Sequence, residues 1–371
     1  MARHEHAVCS PLHYADAILE GGGMRGIAHV GALTVAEARG YRWQRCAGTS
    51  AGALIAALLA AGYTAVEMRR LLSSVDFASF ARDQGFRDCQ AMQLLRLLTQ
   101  GGLHTGDSLE TFLRTQLGVK GIRTFGDLVV PGQEHAPKTS RFRYRLVVIA
   151  SDITHGRMLR LPQDSVYYGQ DPDAVDVALA VRMSASIPFF FQPVTRRDYT
   201  GRLYRVVDGG LLSNFPIDLF DVAGPPAYPT LGFHLVDTPP EPGRATRPSA
   251  SENLLSFGRS LLNTMLTAHD RLYLDDHAYV RTIAIPAHGI SGTQFNLSKS
   301  QVEWLYESGQ EAAEEFFATW NFAAYCAAYR CDREELDRQA RLHRAMRNVS
   351  GTPDLPANLA GRPGEIPGDQ V

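Results

Sequence analysis

The chain has 371 residues, 45% hydrophobic and 20% charged, enough to bury a large core as one big α/β domain with an extension or as two domains. Wholesale disorder is excluded. Lys+Arg 37 against Asp+Glu 39 leaves a formal charge of -2, which removes any global electrostatic case for nucleic acid or anionic lipid and leaves a local basic face open.

Residues 1–13 are polar, contain three His and no apolar signal region, and read as an N-terminal tail. Ala15 to Glu20 is a short apolar strand, followed by the glycine run Gly21 to Gly26 and a helix from Ile27 to Arg39. Trp43 to Ala47 leads into Gly48-Thr49-Ser50-Ala51-Gly52 and a helix to Ala61 that is apolar on every side. Such a helix is expected to be buried with its positive end at Ser50. Helical stretches at Ala65 to Leu72 and Ala91 to Leu98 precede Asp107 or Ser108, expected as the N-cap of a helix over Leu109 to Leu117.

After the polar loop Pro131 to Ser140, Tyr144 to Ala150 has the continuous apolar character of a strand inside a parallel sheet. A helix over Val175 to Ser184 ends at Ile187-Pro188, and a strand over Tyr204 to Val207 stops at Asp208-Gly209-Gly210. Leu231 to Val236 and Thr282 to Ile285 read as strands, separated by the Pro-rich linker Thr238 to Ser251 and a helix over Leu254 to Asp270. From Ser298 the chain reads helical to Asn348, with residues 321–349 as a C-terminal helical extension and 350–371 as a disordered tail. The alternation predicts a three-layer αβα sandwich with a mostly parallel central sheet, plus C-terminal helices.

No apolar run reaches the ~18 to 20 residues that span a bilayer. The five cysteines, Cys9, Cys46, Cys89, Cys326 and Cys331, form no C-x-x-C pair and fit neither a disulfide framework nor a zinc site. A reducing compartment, and so a cytoplasmic location with any membrane contact peripheral, is the expectation.

Ser50 is the candidate nucleophile: small neighbours suit a sharp strand-to-helix turn that lifts a hydroxyl clear of the backbone. Five-residue G-x-S-x-G matches also arise by chance in Ala/Gly-rich chains, so the motif needs company. Amides of Gly21 to Gly26, lying after a strand and before a helix, can converge on an oxyanion. The same run fits the dinucleotide fingerprint G-x-G-x-x-G, but that motif expects an acid closing the second strand, and none stands between Glu37 and Glu67. For a base there are two options: Asp208 at a strand end, or a Ser, Asp, His order using His234 or His269. Asp-Gly-Gly is also a common structural turn.

With GGGMRG at 21 to 26, GTSAG at 48 to 52 and DGG at 208 to 210, the chain resembles the patatin-like phospholipases. The likeness extends through Ala15 to Leu72, Leu146 to Ser151 and Met183 to Val194, covering Tyr14 to Val222 most strongly. It implies a domain over 14–320 with its motif-bearing core at 14–222. It further implies Ser50 as nucleophile and Asp208 as its partner in a Ser-Asp dyad without a catalytic His. The amides of Gly22, Gly23 and Ala51 would form the oxyanion hole, and Gly21, Gly26, Gly48, Gly52, Gly209 and Gly210 would shape the motifs. Arg25 would stand where the family has a basic residue able to meet phosphate or oxyanion.

The implied reaction is hydrolysis of fatty acyl esters of phospholipids or lysophospholipids through an acyl-enzyme, without cofactor or metal. The implied partner is a lipid or membrane surface and not nucleic acid. Acyl transfer on the same fold and a non-catalytic lipid-binding role are the alternatives, and a homo-oligomer is compatible with the sequence. Phe189 to Phe191 and Leu94 to Leu98 suit an acyl channel and core packing equally.

Overall fold

Strand β1 (His13–Leu19) is exposed at its first two residues and buried from Ala15 onward, because it runs into the centre of a sheet. The computed structural model describes residues 13–75, 99–222, 226–236, 276–287, 289, 290, 292, 294 and 297–331. The predicted helices at 91–98 and 254–270, the linker at 238–251, residues 1–12 of the N-terminal tail, the C-terminal tail and His269 lie outside them, while His13, placed in the tail from the sequence, opens β1.

In chain order the principal elements are α1 (Ile27–Ala38), β2 (Tyr41–Thr49), α2 (Ala51–Ala60), α3 (Ala65–Ser73), β3 (Gly102–His104) and α4 (Asp107–Val119). Then follow β4 (Leu146–Asp152), β5 (Arg157–Leu161), α5 (Val177–Ser184), β6 (Phe189–Phe191), β7 (Val194–Arg197) and β8 (Leu203–Asp208). The last are β9 (Thr230–Val236), α6 (Asp276–Val280), β10 (Thr282–Pro286), α7 (Lys299–Thr319) and α8 (Phe322–Cys331). The main sheet has the order β10-β9-β1-β2-β4-β8-β7, with β5 also on β4. From β10 to β4 all neighbours are parallel, whereas β5, β8 and β7 join antiparallel.

Strand pleating sends alternate side chains to opposite faces. Ala17, Leu19, Cys46 and Val148 belong to the larger core, shared with α1, α2 and α7. Ile18, Ala47, Val147 and Ile149 face the other way, onto Ile217, Phe220 and Ala278. The architecture is therefore the predicted αβα sandwich with a mostly parallel sheet and C-terminal helices. Helix α7 lies directly on α1, because a Cβ at Gly309 would stand 1.9 Å from the Ala28 carbonyl oxygen.

Local boundaries differ from expectation where tertiary contacts intervene. The N-cap of α4 is Gly106, at φ 75°, and Asp107 and Ser108 fall inside the first turn. A Cβ on Gly106 would stand 2.1 Å from Arg182 Nε, so the buried arginine claims the capping position for glycine. Helix α5 begins at Val177 because the Asp176 carboxylate accepts from the Leu179 N–H at 2.9 Å. The helix predicted from Ser298 breaks at Trp320, whose extended backbone (ψ 127°) separates α7 from α8.

The register around β4 positions the site. Ile149 pairs with Thr49 of β2, and the next residue, Ala150, pairs with Asp208 of β8. Since β5 occupies the opposite edge of β4, along Val148 to Asp152, β2 and β8 meet end to end on one edge. Ser50 and Asp208 are brought together by that meeting.

Candidate active site

Ser50 turns the chain from β2 into α2 at φ 54°, ψ -122°. Among the described residues only Phe189 (φ 67°) also has positive φ without being glycine. Such a conformation costs about 1 to 3 kcal/mol and persists only where its surroundings over-determine it. Here the Ser50 N–H donates to Ser184 Oγ at 2.8 Å, and the Ser184 hydroxyl donates to the Ile149 carbonyl. The flanking glycines are steric requirements: a Cβ on Gly52 would stand 2.3 Å from the Leu19 carbonyl oxygen.

Removing the Ser184 hydroxyl would strand a buried N–H and a buried carbonyl. Ser184→Ala is therefore expected to lower unfolding free energy by about 2 kcal/mol. Denaturant unfolding of the two proteins measures this, and an unchanged midpoint would refute it.

Asp208 ends β8 with its N–H on the Ser186 carbonyl at 2.9 Å and its Oδ1 accepting from the Gly210 N–H at 2.8 Å. Ser184, the last residue of α5, and Ser186, two residues beyond it, thus hold Ser50 and Asp208 by the latter pair's own amides. Asp208 is 3% exposed and Ser50 6%. Burial pushes the Asp208 carboxyl up to about 6, against the opposing pull of the Ser50 hydroxyl and the Gly210 N–H. Although Ser50 lies close enough to exert that pull, Oδ2 accepts no hydrogen bond of regular geometry.

The glycine run folds as a short 3-10 turn (Gly23–Gly26) with Gly23 at φ 55°. The Gly21, Met24 and Arg25 amides are used, on Asn214 O, Gly292 O and Gly22 O. The Gly22, Gly23 and Ala51 amides have no partner among the described residues. Gly23, Ser50 and Ala51 line one apolar cleft with Leu54, Ile187 and Phe191. Phe191 is a wall of the cleft, while Phe189 is exposed at its rim strand. The Arg25 side chain bends back, its Nε 3.4 Å from Gly22 O.

His234 is elsewhere. Its Nδ1 lies 2.8 Å from Glu20 Oε2, its ring packs against Phe215, and it does not line the cleft.

Sequence reasoning missed the groups behind the glycine loop. Glu20, buried, accepts from the Leu235 N–H and from Asn214 Nδ2 at 3.0 Å. Asn214 also donates to Gly21 O at 3.1 Å, so the loop is gripped on both its polar groups. Burial pushes His29 down to about 4, leaving a neutral ring with Nε2 3.0 Å from Glu20 O. The available signal was an acid following the apolar run Ala17 to Leu19, directly before three glycines.

The sequence profile of the patatin-like phospholipases matches residues 17–221, more than half of the chain and all three glycine motifs. The chain belongs to the patatin-like phospholipase family. Relatives include the protein YqhO of Bacillus subtilis, 37% identical over 83% of this chain and 100% of its own length. A probable lipid hydrolase, 463L of invertebrate iridescent virus 6, is 29% identical over 56% of this chain and 64% of its own. Among solved structures, VipD from Legionella pneumophila aligns over 83% of this chain and 67% of its own, with a TM-score of 0.48 and 16% identity. No helix among the described residues of this patatin-like chain is long and apolar enough to cross a membrane.

Proposed function

We propose that this patatin-like lipid hydrolase cleaves fatty acyl esters of phospholipids or lysophospholipids with Ser50 and Asp208 as a dyad. The observation that carries the reading is the strained, buried Ser50 beside a buried carboxyl whose pKa is raised to about 6. At pH 7 to 8 that carboxyl is ionised, yet it is a stronger base than an ordinary aspartate.

Ser50 Oγ attacks the acyl carbonyl carbon while its proton passes to Asp208. The Gly22, Gly23 and Ala51 N–H groups, partnerless among the described residues, stabilise the oxyanion. Collapse of the tetrahedral species expels the alcohol, which takes the proton from Asp208. Water, deprotonated by Asp208, then releases the fatty acid and restores Ser50. The apolar cleft lining suits an acyl chain, and the viral relative's name agrees with the substrate class.

Purified protein offered a panel of phospholipids and lysophospholipids should release fatty acid, identified by mass spectrometry, and should be labelled at Ser50 by a fluorophosphonate. Folded protein that binds acyl chains without labelling or turnover would favour the non-catalytic reading. Acyl transfer to an added lysolipid, in place of free fatty acid, would make it a transferase.

A further inference from the structure

Strands β7 and β8 overhang the site. Asp208 pairs with Ala150, but Val206 already pairs with Asp152, the last residue of β4. Leu203 to Arg205 and the turn at 198–202 therefore project beyond the carboxyl ends of the parallel strands, at the same end as Ser50. At ~3.3 Å per residue, Leu203 stands roughly 15 Å past Asp208. The Ile153 N–H donates to Arg205 O at 3.0 Å, which joins the exposed β4–β5 turn to the overhang.

The overhang is basic. Arg196, Arg197, Arg202 and Arg205 are exposed, and Arg157 stacks over the Tyr167 ring at 5.5 Å. None of the five has an ion-pair partner among the described residues. The acids nearby are engaged: Asp198 accepts from Thr200 and from the Arg202 N–H, and Asp152 is buried against Tyr168 and His155. In a chain of formal charge -2, this is a concentrated positive surface.

Apolar side chains are interleaved with it. Tyr199 at the tip is 76% exposed, Leu203 53% and Ile153 47%. Cross-strand pairing sets Arg197 beside Leu203, and Thr195 beside Arg205, on the outward face. Exposed leucine and isoleucine gain nothing from a phosphodiester backbone. Arginine with tyrosine and aliphatic tips matches the boundary between anionic headgroups and acyl chains.

We propose that this hairpin overhang is a docking surface for anionic phospholipid bilayers. It would hold the cleft mouth against the interface where acyl esters lie; only that last purpose rests on the hydrolase reading.

The Ser50→Ala chain, which cannot degrade the vesicles, is sedimented with vesicles of phosphatidylcholine alone or with about 30% phosphatidylglycerol. It should bind the anionic vesicles selectively and release in about 1 M NaCl, where the Debye length is about 3 Å. Arg197→Gln/Arg202→Gln/Arg205→Gln should lower partitioning on the order of 100-fold, about fivefold per arginine. Tyr199→Ser/Leu203→Ser should weaken binding with the arginines intact. With Ser50 present, these variants should hydrolyse a soluble monomeric ester within about twofold of the parent.

Undiminished partitioning of the triple arginine variant, equal binding to neutral vesicles, or tighter binding to a DNA duplex than to anionic vesicles would each overturn the proposal. Selective vesicle binding by a wild-type chain that turns over no ester would sink the hydrolase reading and leave the docking surface standing.

Discussion

Ser50→Ala is expected to reduce ester turnover by on the order of 10⁴- to 10⁶-fold and to eliminate fluorophosphonate labelling. The loss should fall on catalysis alone. The hydrogen bonds that fix this turn run through the main chain, from Ser50 N–H to Ser184 Oγ and from Leu54 N–H to Ser50 O. Alanine keeps both, so the unfolding midpoint should stay put while kcat collapses. Retention of more than about 1% of wild-type turnover would place the nucleophile elsewhere.

Asp208→Asn should show two opposite effects: activity lost by about 10³-fold or more and stability gained. Folding raises this carboxyl from 3.8 to about 6, so the folded chain holds the proton more tightly than the unfolded one. The resulting stabilisation is complete below pH 3.8 and is lost as pH rises through about 6. At pH 8 the wild type must bury a carboxylate and the amide variant need not. The variant should gain up to roughly 3 kcal/mol there, from about two pKa units at 1.36 kcal/mol each, with the gain vanishing below about pH 4.

Denaturant unfolding at several pH values tests this, and a variant less stable than wild type at pH 8 contradicts it. On the same basis, wild-type kcat/KM should fall about tenfold per pH unit below about 6, as the base is protonated.

The Glu20–Asn214–His234 network has a different standing from the dyad. It touches the glycine loop from behind and not the cleft, so its members hold Gly21 in place. Stored strain at Ser50 and a partly compensated carboxyl at Asp208 are destabilising features. The Ser184, Ser186 and Asn214 contacts supply the counterweight.

Legibility followed the range of the forces. GTSAG was readable because its demand is steric and local: Gly48, Ser50 and Gly52 crowd one turn, and the apolar α2 that follows has one place to go. The strands β1, β4 and β9 were readable because the residues buried on both faces are mostly apolar, with polar side chains such as Asp16, Asp152 and His234 as the exceptions. The short antiparallel β5 and β7 were not, since they are only five and four residues long and arginines interrupt their apolar pattern. Gly106 as a cap, Ser184 under the elbow and Asn214 behind the glycine loop answer to partners 76, 134 and 193 positions away.

By itself the sequence determined that Ser50 stands on a sharp turn between a strand and a buried helix, because small side chains and apolar periodicity act over a few residues. Only the tertiary structure decided which acid meets it. Consecutive residues of β4 pair with Thr49 and Asp208, the ends of two strands 159 positions apart, and backbone hydrogen bonding sets that register.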